Sequence, residues 1–428
     1  MFDVVIIGAG AAGLMAGKVL REMGLSFVIC EASDRIGGRM RTVYREGEAI
    51  ELGAEFVHGQ PPVTLELLKA AGLEVVEGSD RRMTRDEKGL RAQPEFWEVI
   101  EKINGQIDQG RDESYDEFLA RAEATPEEKW MARAFVEGFN AADAGLIGTQ
   151  GIVVEDEASA EIEGERIFRL PRGYQALVDW LGEQLPAEAL HLESVVREVR
   201  WRTGWVQVVT ECRGEVCEYE AARAILTVPL GVLKAAPGER GAIRFEPPIV
   251  GKAEAWSHLH MGRVRRMSLR FRERFWEKHG SFAFVTAEGL DIPVWWTQEP
   301  GRSGLLVGWA SGPVSDRLGG LTPEELRDAA LRNLAQIFGE PVERLSSLLE
   351  SFDSYDWSAD PWTRGAYSYP GVGGIEAARR LAEPVEDTLF FAGEATDAGG
   401  ANGTVHGALE SGVRVAREIE GRGRLDKS

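Results

Sequence analysis

The chain has 428 residues, which at roughly 150 per domain leaves room for two or three domains and a large buried core. Its 70 acidic against 49 basic residues give a formal charge of −21 with no block of like charges, which argues against nucleic acid as a partner because such a body repels phosphate. A content of 43% hydrophobic and 28% charged residues excludes a disordered or fibrous chain, and three cysteines without a CxxC pair (Cys30, Cys212, Cys217) argue against a disulfide framework, zinc or iron–sulfur ligation.

The cysteine usage suits a reducing, cytoplasmic compartment, and no stretch reaches the ~18 apolar residues of a membrane span. The apolar run starting at Phe2 has no basic residues before it and no small-residue cleavage site, so it reads as structure and not as an address. Val4-Val5-Ile6-Ile7 is β-branched and leads directly into Gly8-Ala9-Gly10-Ala11-Ala12-Gly13. A helical pattern follows through Met23, with Gly24 as its stop, and a short strand from Phe27 to Cys30 ends at Glu31.

Strand, glycine turn, helix, strand and acid, in that order, predict the first βαβ unit of a dinucleotide-binding domain. Gly8 permits the tight turn, Gly10 lets backbone approach a pyrophosphate, and Gly13 lets helix and strand pack closely. Glu31, 18 residues beyond Gly13, is placed to accept bonds from ribose hydroxyls, and Ala12 and Ala32 join the candidate contacts. NAD, NADP and FAD share this motif, although the acid disfavours the 2′-phosphate of NADP.

Further along, Arg166 to Leu185 reads as helical, Leu192 to Glu211 as two strands that include the candidate cofactor contact Val196, and Ala224 to Pro229 as a buried strand. Glu155-Asp156-Glu157, with Glu161, Glu163 and Glu165, reads as a solvated loop, with a cation-attracting mouth as the alternative. His258 and His260 share a strand face without an evident third ligand, so no metal site is expected. Thr388 to Ala392 reads as a strand; Thr404 to Glu420 reads as a helix with Asn402 as N-cap and Gly421 as stop, its N–H groups open to an anion.

Several segments together resemble the flavin-dependent amine oxidase family, which includes monoamine oxidases, polyamine oxidases and flavin histone demethylases, over nearly the whole chain. Gly37-Gly38-Arg39 is similar to the family's second glycine motif, where the arginine meets the FAD pyrophosphate. Glu51-Leu52-Gly53-Ala54-Glu55-Phe56-Val57-His58-Gly59 resembles the segment beneath the isoalloxazine ring, most of all in polyamine oxidases, and Thr227 to Lys234 is a further match. Asp360 to Tyr369 resembles the segment lining the flavin pocket, which implies Trp362 beside the flavin and Tyr367 as a wall of the substrate cage; Tyr369 stays open as the alternative. Phe391-Ala392-Gly393-Glu394, with Gly403-Thr404-Val405-His406-Gly407-Ala408, is similar to the C-terminal flavin motif.

The resemblance implies an α/β fold: a discontinuous Rossmann-like FAD-binding domain (1–77, 166–241, 381–428) with an inserted mixed α+β substrate-binding domain (78–165, 242–380). It implies FAD held non-covalently, because Ala366 stands where monoamine oxidases carry the flavin on a cysteine. It also implies that Arg266 replaces the lysine that relatives place near flavin N5, with Arg265 the alternative inward residue.

The expected activity is oxidation of a small-molecule amine, a monoamine or polyamine, by hydride transfer to flavin N5, giving an imine and then a carbonyl compound, with hydrogen peroxide if oxygen is the acceptor. Trp362 and Tyr367 attract a cation yet favour the neutral amine that can release hydride. The helix start at Gly403, Thr404 and Val405 would stabilise reduced flavin. His58 is either a polar contact over the pocket or a structural histidine. An L-amino acid oxidase, an amine dehydrogenase and a non-catalytic flavin-binding interaction protein are the alternatives.

Overall fold

The computed structural model describes residues 1–422; positions 423–428, which the expected first domain includes, lie outside the described residues. Phe2–Ile7, the helix Ala11–Glu22 and Phe27–Cys30 form a unit in which the two strands pair in parallel, Ile6 opposite Ile29. Successive strand residues point to opposite faces. Val4 and Ile6 accordingly enter one core beneath the helices Ala11–Glu22 and Val405–Gly421, while Val5 and Ile7 enter another on the far face. A strand apolar on both sides is what a sheet covered on both faces requires.

This sheet has eight strands. In order they are Leu190–His191, Phe27–Cys30, Phe2–Ile7, Glu215–Leu226, Trp205–Cys212, Ser194–Arg202 and Arg244–Glu246, with Leu389–Phe391 also paired to Glu215–Leu226. The strand Arg244–Glu246 pairs in parallel with Ser194–Arg202, so the sheet reaches past residue 241, where the sequence suggests the second domain begins. The helix Gly374–Ala382 likewise sends Ala377, Ala378 and Leu381 into the core on this sheet.

A second sheet of seven strands, among them Arg82–Asp86, Val264–Phe271, Val294–Trp296, Leu305–Ser311 and Leu349–Asp356, packs its own core against Pro323–Phe338. The helices Phe96–Asn104, Tyr115–Arg121 and Pro126–Phe139 make a further core. Thr125 opens the last of these with a capping box: its hydroxyl accepts the Glu128 N–H at 3.2 Å, and the Glu128 carboxylate accepts the Thr125 N–H at 2.8 Å.

Three local expectations are corrected. Arg166 to Leu185 is not one helix but the strand Ile167–Arg169 followed by the helix Gln175–Glu183, because Pro171 interrupts the backbone ladder and Gly173 turns at φ +73°. The acidic run is a loop only in part: Glu155 to Glu161 lie on the helix Thr149–Glu161, while Glu163 and Glu165 are exposed in the turn that follows. Thr404, not Asn402, caps the C-terminal helix, its hydroxyl accepting the Gly407 N–H at 2.9 Å, while Asn402 Nδ2 donates to the Ser368 carbonyl; Gly421 is that helix's last residue, not its stop.

Candidate active site

One cavity of about 1450 Å³ runs from the glycine turn to the aromatic segments of the second sheet. Pockets for small ligands usually occupy ~300–1,000 Å³, so this volume suits a large cofactor together with a substrate. Gly8, Gly10, Ala12, Glu31, Ala32, Gly38, Arg39 and Val196 line one stretch of it. Gly53, Ala54, Glu55, Phe56, His58, Arg266, Trp362, Tyr367, Gly393, Glu394, Gly403, Thr404 and Val405 line others. Gly13 alone among the expected cofactor contacts does not reach it: a Cβ there would fall 2.0 Å from the Gly8 carbonyl oxygen, so this glycine serves the packing of turn on helix.

The residues fit a dinucleotide. Gly8 has φ +106°, a conformation that favours glycine, whereas a Cβ on Gly10 would meet no protein atom within 4 Å. The Ala11–Glu22 helix starts at that open backbone, where free N–H groups favour phosphate. Glu31 is buried at the end of its strand, accepting the N–H groups of Ala9 and Ser33, each at 2.8 Å. Arg39 Nη1 pairs with Glu394 at 2.7 Å and reaches the Ala366 carbonyl at 3.0 Å, joining the second and last glycine motifs. Glu394 also accepts the Gly403 N–H at 3.0 Å, which fixes the start of the C-terminal helix.

Strand alternation turns Arg266 inward and Arg265 outward, where it pairs with Asp356. Arg266 is 2% exposed; its Nη1 donates to the Gly53 carbonyl at 3.1 Å, its Nη2 pairs with Glu55, and its Cζ lies 5.4 Å from the Trp296 ring centroid. Glu55 lines the cavity, but its carboxylate is occupied. It accepts from Arg169 Nε at 2.8 Å, from Arg266, from Trp296 Nε1 at 3.0 Å and from Gln298 Nε2 at 3.3 Å. It is therefore an anchor for two guanidiniums on the cavity wall. Burial alone would raise its pKa, but Arg266 and Arg169 together hold it down at about 2.

Tyr367 lines the cavity and donates to the Phe139 carbonyl at 2.6 Å, whereas Tyr369 stacks on His260 at 5.3 Å, away from it. His58 meets Phe139 edge-on at 5.3 Å, and burial, with His406 nearby, lowers its pKa to about 4, so it is neutral at physiological pH. Trp362 faces the cavity with Arg240 over its ring at 5.1 Å.

The helix Thr149–Glu161 brings Glu155 into the same cavity, where Asn140 Nδ2 donates to it at 2.6 Å. Burial, reinforced by Asp156, pushes the Glu155 carboxyl up to about 8. Burial raises the Tyr367 hydroxyl as well, and the neighbouring Glu155 adds to that. Sequence reasoning had no signal for Arg169, Trp296 or Asn140, whose partners lie far along the chain. Among the described residues no three His, Cys, Asp or Glu side chains converge on a metal site, and no helix is long and apolar enough to cross a membrane.

Fold and site thus define a mixed α/β protein built around a dinucleotide-sized cavity that ends in an aromatic chamber. The family model for flavin containing amine oxidoreductases matches residues 11–420. Polyamine oxidase 3 of Oryza sativa subsp. japonica is 30% identical over 98% of this chain and 89% of that protein. Lysine-specific histone demethylase 2 of Homo sapiens is 28% identical over 97% of this chain, which spans 53% of that longer protein. Among solved structures, putrescine oxidase bound to putrescine aligns with a TM-score of 0.84 at 23% identity, covering 98% of this chain and 99% of that one. Cyclohexylamine oxidase from Brevibacterium oxydans IH-35A aligns at 0.81 and 20% identity, covering 98% and 99%.

The chain belongs to the flavin-containing amine oxidoreductase family. It is an oxidoreductase that acts on amines, and its cofactor is a flavin.

Proposed function

We propose that the protein binds FAD non-covalently and oxidises an amine to an imine, which water hydrolyses to a carbonyl compound. The observation that carries this reading is the single continuous cavity joining Glu31 and the glycine turn to His58, Tyr367 and Trp362. Its extension to Glu31 supports a dinucleotide over a mononucleotide. Ala366, on the cavity wall, offers no nucleophile for a covalent flavin link. In this reading the first sheet, with 1–77, 166–246 and 374–422, is the flavin-holding unit, and 78–165 with 247–373 is the substrate unit, the two later bounds moved to follow the strand Arg244–Glu246 and the helix Gly374–Ala382.

A flavin held by these residues would supply the hydride acceptor, and oxygen, where it is the electron acceptor, would take two electrons and two protons to become hydrogen peroxide. The chain's residues prepare the amine. Alkyl ammonium groups have pKa values near ~10, and only the neutral form has a lone pair to assist hydride departure. Tyr367, Trp362 and Phe139 form apolar walls that favour the neutral form. Glu155, ionised at its Oε atoms above about pH 8, takes the ammonium proton; below that pH it holds its own. His58, neutral, is an uncharged hydrogen-bonding contact in the chamber. The N-terminus of Val405–Gly421, capped by Thr404, offers N–H dipoles to negative charge that develops on the cofactor.

A second reading, an amine dehydrogenase using another acceptor, is favoured by one observation: the cation at the usual lysine position is an arginine already paired with Glu55. Anaerobic mixing with monoamines, polyamines and amino acids, followed by admission of air, tests both. Bleaching of the flavin band by an amine, with fast recovery and peroxide in air, supports the oxidase; slow recovery supports the dehydrogenase; no bleaching by any amine refutes amine oxidation.

A further inference from the structure

The fold gathers the chain's three cysteines, all free thiols, at one end of the first sheet. Cys30 ends the strand Phe27–Cys30, within electrostatic range of the other two. Cys212 and Cys217 flank the tight turn Arg213-Gly214 between the strands Trp205–Cys212 and Glu215–Leu226. The register sets Cys212 opposite Glu215 and Thr210 opposite Cys217, so the two cysteines share a face as diagonal neighbours. The Cys217 thiol hydrogen-bonds the Cys212 sulfur, which also has Thr210 Oγ1 at 3.0 Å and Ser194 Oγ at 3.3 Å. Both thiols are half-buried and open to small reagents, whereas Cys30 is buried.

The surroundings give the pair unequal roles. Burial opposes ionisation of Cys212, but hydrogen bonds from Cys217, Ser194 and Thr210 outweigh it and lower the pKa of its thiol. The same bond to Cys212, with burial, raises that of Cys217, and burial holds Cys30 protonated. Cys212 is thus the thiol that ionises, and the thiolate is the nucleophile. Cys217 keeps its proton and stands beside it.

We propose that Cys212 and Cys217 form an oxidation site for hydrogen peroxide, Cys212 reacting with the peroxide and Cys217 resolving the product to a disulfide. The Cys212 thiolate attacks one peroxide oxygen and the O–O bond breaks; a sulfenic acid remains on Cys212, and the departing hydroxide takes up the proton that thiol shed, giving water. The Cys217 sulfur then attacks the Cys212 sulfur. The S–S bond forms, the S–OH bond breaks, and hydroxide leaves with the Cys217 thiol proton as a second water. In sum the two thiols lose two electrons and two protons, and one peroxide is reduced to two waters. Diagonal neighbours start farther apart than a disulfide requires, and the exposed turn Arg213-Gly214 is where the backbone gives.

The site borders the cofactor cavity. Cys30, Ser194, Glu211, Arg213 and Gly214 line it, and the Ser194 N–H donates to the Glu31 carbonyl at 2.8 Å. In the oxidase reading above, the protein releases this oxidant itself; that supply rests on the reading, whereas the site does not.

The test treats the flavin-loaded protein with reagent hydrogen peroxide, labels the remaining thiols with N-ethylmaleimide in denaturant, and weighs the tryptic peptides. Reduced protein carries a label on each of its three cysteines; oxidised protein carries one, on Cys30. Trypsin cuts after Arg213, so the new bond appears as a linked pair of peptides that dithiothreitol separates. In Cys217→Ser the pair is absent and dimedone traps the sulfenic acid on Cys212; in Cys212→Ser, Cys217 keeps its label. Retention of all labels by the native protein in millimolar peroxide, a bond to Cys30 or between chains, or oxidation of Cys212 beyond the sulfenic acid without a bond to Cys217 overturns the proposal. Amine turnover in air, with and without catalase, separates the two levels of inference. A linked pair that catalase prevents supports both, whereas a pair formed by reagent peroxide but never by turnover keeps the site and counts against peroxide release.

Discussion

Replacing Glu55 with glutamine keeps the shape of the side chain and removes the one carboxylate, among the described residues, bonded to both Arg266 and Arg169. The side chains of the three residues are 5%, 2% and 11% exposed, so two guanidiniums are left in a low-dielectric wall without a counter-ion. Breaking a buried pair in this way costs about 3–5 kcal/mol. Proton linkage gives an independent figure. The carboxyl falls from its ordinary 4.5 to about 2, which at 1.36 kcal/mol per pH unit is about 3 kcal/mol of stability. A depressed carboxylate pKa contributes fully above pH 4.5 and loses its contribution as pH falls through about 2. The advantage of the native protein over Glu55→Gln, measured by urea denaturation, is therefore about 3 kcal/mol at pH 7 and shrinks steadily below pH 4.5. A difference under about 1 kcal/mol at pH 7, or one unchanged on acidification, would refute the anchoring role of Glu55.

Gly10→Ala leaves apoprotein folding intact, since a Cβ there meets no protein atom, yet weakens flavin binding, while Gly13→Ala damages the fold itself; flavin titration and melting curves of the two apoproteins distinguish these outcomes. Glu155→Gln slows flavin reduction by about 10²-fold at pH 8–9 in rapid mixing, the loss expected of a proton acceptor. The same substitution stabilises the ligand-free protein at pH 9 and not at pH 4, because a carboxyl raised to about 8 is protonated in the fold but ionised in the unfolded chain between those values; melting curves across pH check this. His58→Asn leaves the pH dependence of flavin reduction above pH 6 unchanged, since a histidine lowered to about 4 does not titrate there, and a shift in that range would show that it does.

Legibility in the sequence followed the range of the interactions. The run from Val4 to Glu31 could be read because strand, turn, helix and acid are consecutive and each has a local physical signature. The inward residue of the Arg265-Arg266 pair could not, because alternation gives two phases and the choice depends on Glu55, 211 residues away. Glu155 was obscured by its neighbours: a run of acids reads as a solvated surface, and only the helix Thr149–Glu161, packed beside Asn140, brings Glu155 with Asp156 and Glu157 to the cavity. Arg166 to Leu185 misled because its apolar spacing suits a helix while Pro171 and Gly173 break it.

The central pairing of the first sheet joins Phe2–Ile7 to Glu215–Leu226, with Ile6 opposite Ile225. During synthesis the strand Phe2–Ile7 thus waits until Glu215–Leu226 has been made before this partner exists, and closing so long a loop delays the reward of burying four consecutive apolar residues. Until then Val4 to Ile7 is an unpaired hydrophobic edge of the kind that recruits other chains. Synthesis rate and chaperone supply, more than final stability, should therefore govern the yield of soluble protein, and any truncation that ends before Leu226 leaves that edge permanently open.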